Sequence, residues 1–179
     1  MQHLGPAVLA VVLVAAVPAS IVAQTPAGIR GEIIGQVDDA ANKLVQLAGA
    51  IPADKYSWRP RPGVRSVSEV LMHVTGANYF FPRFVGVQAA SPLPPGADTS
   101  VTDKAQIAEY MQRSFEHARG VIRGVADADL DKPTNIFGRP TTQRDALLLF
   151  VTHAHEHLGQ MIAYARMIGV VPPWSITGN

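Results

Sequence analysis

The chain has no cysteine among its 179 residues. This absence excludes disulfide bonds, thiolate metal ligands and cysteine nucleophiles together. Any metal ion must therefore be held by imidazole nitrogen and by oxygen, a donor set that suits zinc, nickel, copper or iron.

An excess of positive charge is also missing. Lys and Arg together number 15 against 14 for Asp and Glu, so the formal net charge is +1. This balance leaves almost nothing to neutralise phosphates and argues against nucleic acid as a partner. The hydrophobic content of 47% is sufficient for one well-buried domain at this length.

The first 23 residues contain no charged side chain. An apolar block over residues 7–17 is followed by a small-residue stretch over residues 18–23, which is typical of a secretory signal peptide. We expect cleavage after that stretch, a mature domain of residues 24–179, a periplasmic or secreted location and no stable membrane insertion. The alternative is an uncleaved anchor, although Pro18 interrupts a stretch already shorter than the roughly 20 apolar residues that a span needs.

Four segments have the hydrophobic periodicity of amphipathic helices. They span residues 29–50, 66–82, 102–125 and 141–168. The second begins with Ser66 and Glu69 at capping-box spacing, and Pro82 is expected to kink or end it. Because residues 127–140 read as a loop and no strand-like alternation is evident, the sequence predicts an all-α four-helix bundle in which short loops favour neighbouring helices.

Three histidines form the candidate site. His153 and His157 are four residues apart on the apolar face of the last helix, so both imidazoles can reach one metal ion. A third ligand must come from a facing helix, and His73 is the candidate on the second helix. His155 is rotated by about 200° from His153 and is expected to point away. The alternative is that these are ordinary histidines of the core or surface.

Several neighbouring residues have two interpretations. Glu156 is either an outer acceptor for a ligand or part of a solvated helix edge, and Gln160 either orients a ligand or fills a packing gap. Aromatic residues either line a substrate pocket or anchor the core and loops; these are Tyr56, Trp58, Tyr79, Phe80, Phe81, Tyr164 and Trp174. Arg59, Arg61 and Arg65 either form an anion site or belong to a solvated loop.

Taken together, the motifs resemble the DinB-like (YfiT-like) metalloenzyme family. The resemblance covers essentially the mature chain and is carried by Tyr56-Ser-Trp-Arg-Pro60, Glu69-Val-Leu-Met-His73, His153-Ala-His-Glu-His157-Leu-Gly-Gln160 and Tyr164-Ala-Arg-Met-Ile-Gly169. It implies a four-helix bundle of DinB/YfiT type in which His73, His153 and His157 bind a divalent metal ion, with zinc or nickel expected.

The resemblance also implies a metal-dependent enzyme, either a transferase of thiols or other groups or a hydrolase, that acts on a small molecule. Characterised relatives include metal-dependent thiol transferases and a maleylpyruvate isomerase. Export would argue against a thiol cosubstrate, because low-molecular-weight thiols are kept chiefly in the cytosol. The alternative function is a non-catalytic metal-binding or stress-related protein, and homodimer formation is left open.

We expect the native protein to begin near Gln24 and to lie outside the cytoplasm, because the uncharged apolar start has no packing role in a four-helix core. N-terminal sequencing of the protein from its native source measures this directly. A soluble cytoplasmic pool that retains Met1 would contradict export.

Overall fold

The computed structural model describes residues 27–88 and 91–175, so the predicted signal peptide lies outside the described residues. Within these ranges the chain forms five α-helices and one β-hairpin. The helices are α1 (Ile29–Ala50), α2 (Val67–Phe80), α3 (Ala97–Ser100), α4 (Lys104–Gly124) and α5 (Gln143–Met167), and the strands are β1 (Pro133–Ile136) and β2 (Arg139–Thr142). In this part of the chain, no helix is long and apolar enough to cross a membrane.

The four long helices α1, α2, α4 and α5 form the predicted bundle. Their apolar stripes meet in one core, in which residues such as Leu44, Val70, Met111 and Phe150 are almost fully removed from solvent. Each such side chain contributes about 1.5–3 kcal/mol through burial. The apolar residues whose periodicity predicted these helices are thus the same residues that pack the helices together.

The order of the helices around the bundle differs from the expected arrangement of neighbours. The main packing partners of α1 are α4 and α5, and α2 packs against the same two helices. Helices α1 and α2 therefore lie at diagonal corners, as do α4 and α5. The expectation that consecutive helices are neighbours holds for α2 and α4. It is wrong for the pairs α1–α2 and α4–α5, because the connections over residues 51–66 and 125–142 are long enough to cross the end of the bundle.

Helix α2, which carries His73, has well-defined ends. The Ser66 hydroxyl accepts a hydrogen bond from the Glu69 backbone N–H (3.3 Å), and the Glu69 carboxylate accepts one from the Ser66 N–H (2.8 Å), as the capping box predicts. The helix ends at Phe80, and the chain continues as a 3₁₀ turn over Phe81–Val85. Pro82 lies near the start of that turn, where its missing N–H costs no helical hydrogen bond.

The segment expected to be a loop contains an antiparallel hairpin. Strand β1 pairs with β2 through the register Ile136↔Arg139, which leaves Phe137 and Gly138 as a two-residue turn. The side-chain Oδ1 of Asn135 accepts a hydrogen bond from the Gly138 N–H (2.7 Å). The sequence did not predict the hairpin because Pro133 and Pro140 are atypical of strands. Both strands are edge strands, where proline is tolerated.

Substituting Ser66→Ala should lower the free energy of unfolding by about 1 kcal/mol, because the backbone N–H of Glu69 loses its hydrogen-bond acceptor. Chemical denaturation monitored by circular dichroism measures the difference. Ser100→Ala, at an exposed position, is the matched control and should change stability by less than about 0.5 kcal/mol. Equal effects of the two substitutions would show that the cap does not stabilise the helix.

Candidate metal centre

The structure brings His73, His153 and His157 together between α2 and α5. The ring centroids are 5.0 Å apart for His73 and His153, 4.8 Å for His73 and His157, and 4.4 Å for His153 and His157. One nitrogen from each ring lies within 4.8 Å of the others. Spacing along α5 and the packing of α2 against it therefore produce the convergence expected from the sequence.

The donor geometry suits a shared cation. The Nε2 atoms of His73 and His153 are 3.1 Å apart. Two imidazole nitrogens that bind one ion at about 2.1 Å with a tetrahedral angle are separated by about 3.4 Å, so the observed spacing is close to that of two ligands on one ion. Among residues 27–88 and 91–175, no fourth His, Asp or Glu joins the group, so the protein supplies three nitrogen donors.

Burial keeps two of these imidazoles neutral. It is the largest cause that lowers the pKa of His73 to about 4; the charge of Arg65 and the neighbouring His157 lower it further, whereas Asp98 and Glu156 oppose them. Burial likewise lowers the pKa of His153 to about 3, assisted by His157, His73 and Arg65. Neutral imidazole is the form that ligates a metal, so both rings are ready to bind at neutral pH.

A hydrogen-bonded chain fixes the third ring. His157, whose side chain is only 7% exposed, donates from Nδ1 to the Oε1 of Gln160 (2.8 Å). The Nε2 of Gln160 donates to the Tyr164 hydroxyl (3.0 Å), which donates to the carbonyl of Arg65 (3.1 Å). This leaves the Nε2 of His157 available to an ion. Gln160 therefore orients the ring and does not merely fill a packing gap.

The other polar residues of α5 lie where the helical wheel places them. The Nδ1 of His155 bonds to the Val151 carbonyl of its own helix (3.0 Å), and this ring is outside the three-histidine group, as expected. Glu156 is exposed, in agreement with a solvated helix edge. Its charge opposes the lowering of the pKa of His73.

A cavity of about 540 Å³ adjoins the histidines. His73 and His153 form part of its wall, and Phe80, Phe81 and Phe137 form much of the rest. Asp98 contributes the one carboxylate among the described lining residues. An ion held by the imidazoles would lie beside a space large enough for a small organic molecule.

The aromatic residues divide between the cavity and the core. Phe80 and Phe81 line the cavity, and the ring of Phe81 also meets that of His153 edge to face at 5.1 Å. The others make packing contacts: Tyr56 is buried, Trp58 packs on Tyr164, Tyr79 lies against His117, and Trp174 packs against the core. The sequence drew attention to neither Phe137 nor Asp98, because Phe137 lies in a tight turn and Asp98 in the four-residue helix α3, which is too short to show a periodic pattern.

The three arginines before α2 have different surroundings. Arg59 forms an ion pair with Glu69 (2.7 Å) and donates to the Val64 carbonyl. Arg65 acts on the candidate centre, since its charge lowers the pKa of both His73 and His153. Arg59 therefore has a structural role, whereas Arg65 lies close enough to the imidazoles to influence an ion or a ligand there.

Comparison with known proteins identifies the family of this chain. The family model described as the DinB superfamily matches residues 36–161. The chain belongs to this superfamily. It is 26% identical over 139 residues to the uncharacterised protein YjoA of Bacillus subtilis, covering 77% of this chain and 90% of YjoA.

Solved structures support the same fold. A DinB-like protein from Bacillus cereus superposes with a TM-score of 0.70 at 19% identity, covering 81% of this chain and 95% of that protein. YfiT from Bacillus subtilis superposes with a TM-score of 0.62 at 18% identity, covering 79% of this chain and 88% of YfiT. YfiT is described as a probable metal-dependent hydrolase with an unusual four-helix bundle topology. At these identities the likeness shows the four-helix fold alone.

In the metal-free protein, we expect His157 to carry its proton on Nδ1, because that nitrogen donates to Gln160. Nitrogen-15 NMR of labelled imidazoles distinguishes this tautomer from the Nε2–H form. Gln160→Ala should remove the preference, whereas Gln160→Glu should keep it because a carboxylate still accepts. An Nε2–H tautomer in the unmodified protein would contradict the proposed orientation.

Proposed function

We propose that this protein is a metal-dependent enzyme in which His73, His153 and His157 bind one divalent ion. The observation that carries the proposal is the three-nitrogen cluster on the wall of a cavity, without a fourth ligand among the described residues. Structural metal sites are usually closed by four protein ligands, whereas catalytic sites have three and keep a position for water or substrate. Zinc or nickel suits this donor set.

The reaction class that this site supports best is hydrolysis or the transfer of a thiol or another group. A bound divalent ion supplies Lewis acidity, which favours deprotonation of water or of a thiol at neutral pH. The description of YfiT as a probable metal-dependent hydrolase supports the hydrolytic alternative. If the protein is exported, as we propose, water is the more accessible nucleophile.

The residues of this chain would divide the remaining tasks among them. Gln160 holds His157 through its Nδ1, which keeps Nε2 directed at the ion position. Phe81 supports the ring of His153 from the side. Asp98 is the described carboxylate on the cavity wall, so it is the candidate to accept a proton from water or substrate.

Protein purified without an affinity tag should contain about one divalent ion per chain. His73→Ala, His153→Ala and His157→Ala should each lose most of that ion, because two remaining imidazoles bind it much less tightly. His155→Ala is the matched control from the same helix and should retain it, since His155 bonds to its own helix. Elemental analysis by mass spectrometry measures the metal content.

Loss of the ion from His155→Ala, or its retention in all three other variants, would contradict the assignment. Activity of the loaded protein is then tested with ester, amide and thiol-transfer substrates, with the His157→Ala variant as a blank. A non-catalytic metal-binding protein is the rival function. Complete loss of helical circular dichroism on chelation would favour that rival, because the apolar core of this bundle is large enough to persist without an ion.

A further inference from the structure

The cavity beside the histidines is lined mainly by apolar residues. Phe80, Phe137 and Leu149 line it together with His73 and His153. Such a cavity is suited to a molecule with two unlike ends: an apolar group that displaces water from the phenylalanines, and a polar group at the imidazoles.

Phe137 has an unusual conformation for a residue in this wall. Its φ is 50°, and Gly138, the second residue of the hairpin turn, has a φ of 88°. A two-residue hairpin turn with both φ angles positive is normally built from Asn, Asp or Gly. A bulky residue with positive φ is a strained outlier, and such outliers concentrate at functional sites.

The strain at Phe137 is not offset by deep burial. The residue is 70% exposed, although its ring stacks on Phe80 at 6.0 Å and meets Phe84 edge to face at 5.1 Å. These contacts hold the ring at the cavity but leave most of its surface to solvent. A ligand in the cavity would cover apolar surface that the fold itself leaves open.

We propose that the cavity binds the aromatic group of a small molecule against Phe80 and Phe137, with the polar, reacting end of that molecule at His73 and His153. Among the described lining residues there is no Lys or Arg, and Asp98 is the one carboxylate, so the aromatic group is uncharged or cationic. This inference rests on the proposed metal-dependent function and names the substrate class for it.

Two probes that share a metal-binding group test the inference. Benzohydroxamic acid and acetohydroxamic acid differ only in a phenyl group against a methyl group. On the full chain loaded with zinc, titration calorimetry should show at least about 10-fold tighter binding of benzohydroxamic acid, because its ring is removed from water in the cavity.

Substitutions at Phe137 distinguish the effect of its ring on ligand binding from the effect of its positive φ on stability. Phe137→Asn should reduce the preference for benzohydroxamic acid to less than about 3-fold, as measured on protein whose zinc content has been determined. The same variant should keep or raise the melting temperature, because Asn tolerates positive φ better than Phe. Phe137→Tyr keeps an aromatic ring and should keep the preference, and Val171→Ala, at a position 58% exposed and outside the cavity lining, is the control for a lost apolar surface group.

The outcomes distinguish this inference from the proposal on which it rests. Equal binding of the two hydroxamic acids by zinc-loaded protein, or binding of neither, would overturn the aromatic site and leave the metal site standing. Failure of the chain to bind zinc would overturn the proposed function and this inference with it. Retention of the full preference in Phe137→Asn would show that Phe137 is not part of the binding surface.

Discussion

The packing of α2 against α5 is the constraint on which the candidate centre depends. His73 belongs to one helix and His153 and His157 to the other, yet the Nε2 atoms of His73 and His153 are 3.1 Å apart. Residues that flank the histidines, such as Met72 and Ala154, are almost fully buried in the common core. Because protein interiors are close-packed, the imidazoles have little freedom to separate. The core therefore preorganises the donors before any ion binds.

Polar contacts extend this preorganisation beyond the two helices. The chain from His157 through Gln160 and Tyr164 ends at the Arg65 carbonyl, which lies in the segment just before α2. Ser66, the next residue, caps α2. The same short segment thus fixes the start of the helix that carries His73 and the orientation of His157 on the facing helix. One cluster of hydrogen bonds couples the two sides of the site.

The sequence predicted the features that depend on periodic patterns and residue spacing. It missed the features that depend on how the connections between helices fold and pack. The bounds of α1, the capping box of α2 and the histidine cluster followed from periodicity and spacing, which are local properties. The hairpin was missed because its two prolines are atypical of strands. Phe137 was missed because its place in the cavity depends on packing of the hairpin against Phe80 and Phe84, which no local pattern encodes.

The diagonal placement of α1 and α2, and of α4 and α5, has a consequence for how the protein folds. In an up-and-down bundle, helix hairpins close short loops early, whereas here α1 finds its partners in α4 and α5, far along the chain. His73 and His153 are 80 residues apart in sequence, so the site requires closure of a long loop. A larger share of non-local contacts slows folding relative to a simple bundle of equal length. Since the ligand set comes from both α2 and α5, no isolated fragment containing α5 alone carries it.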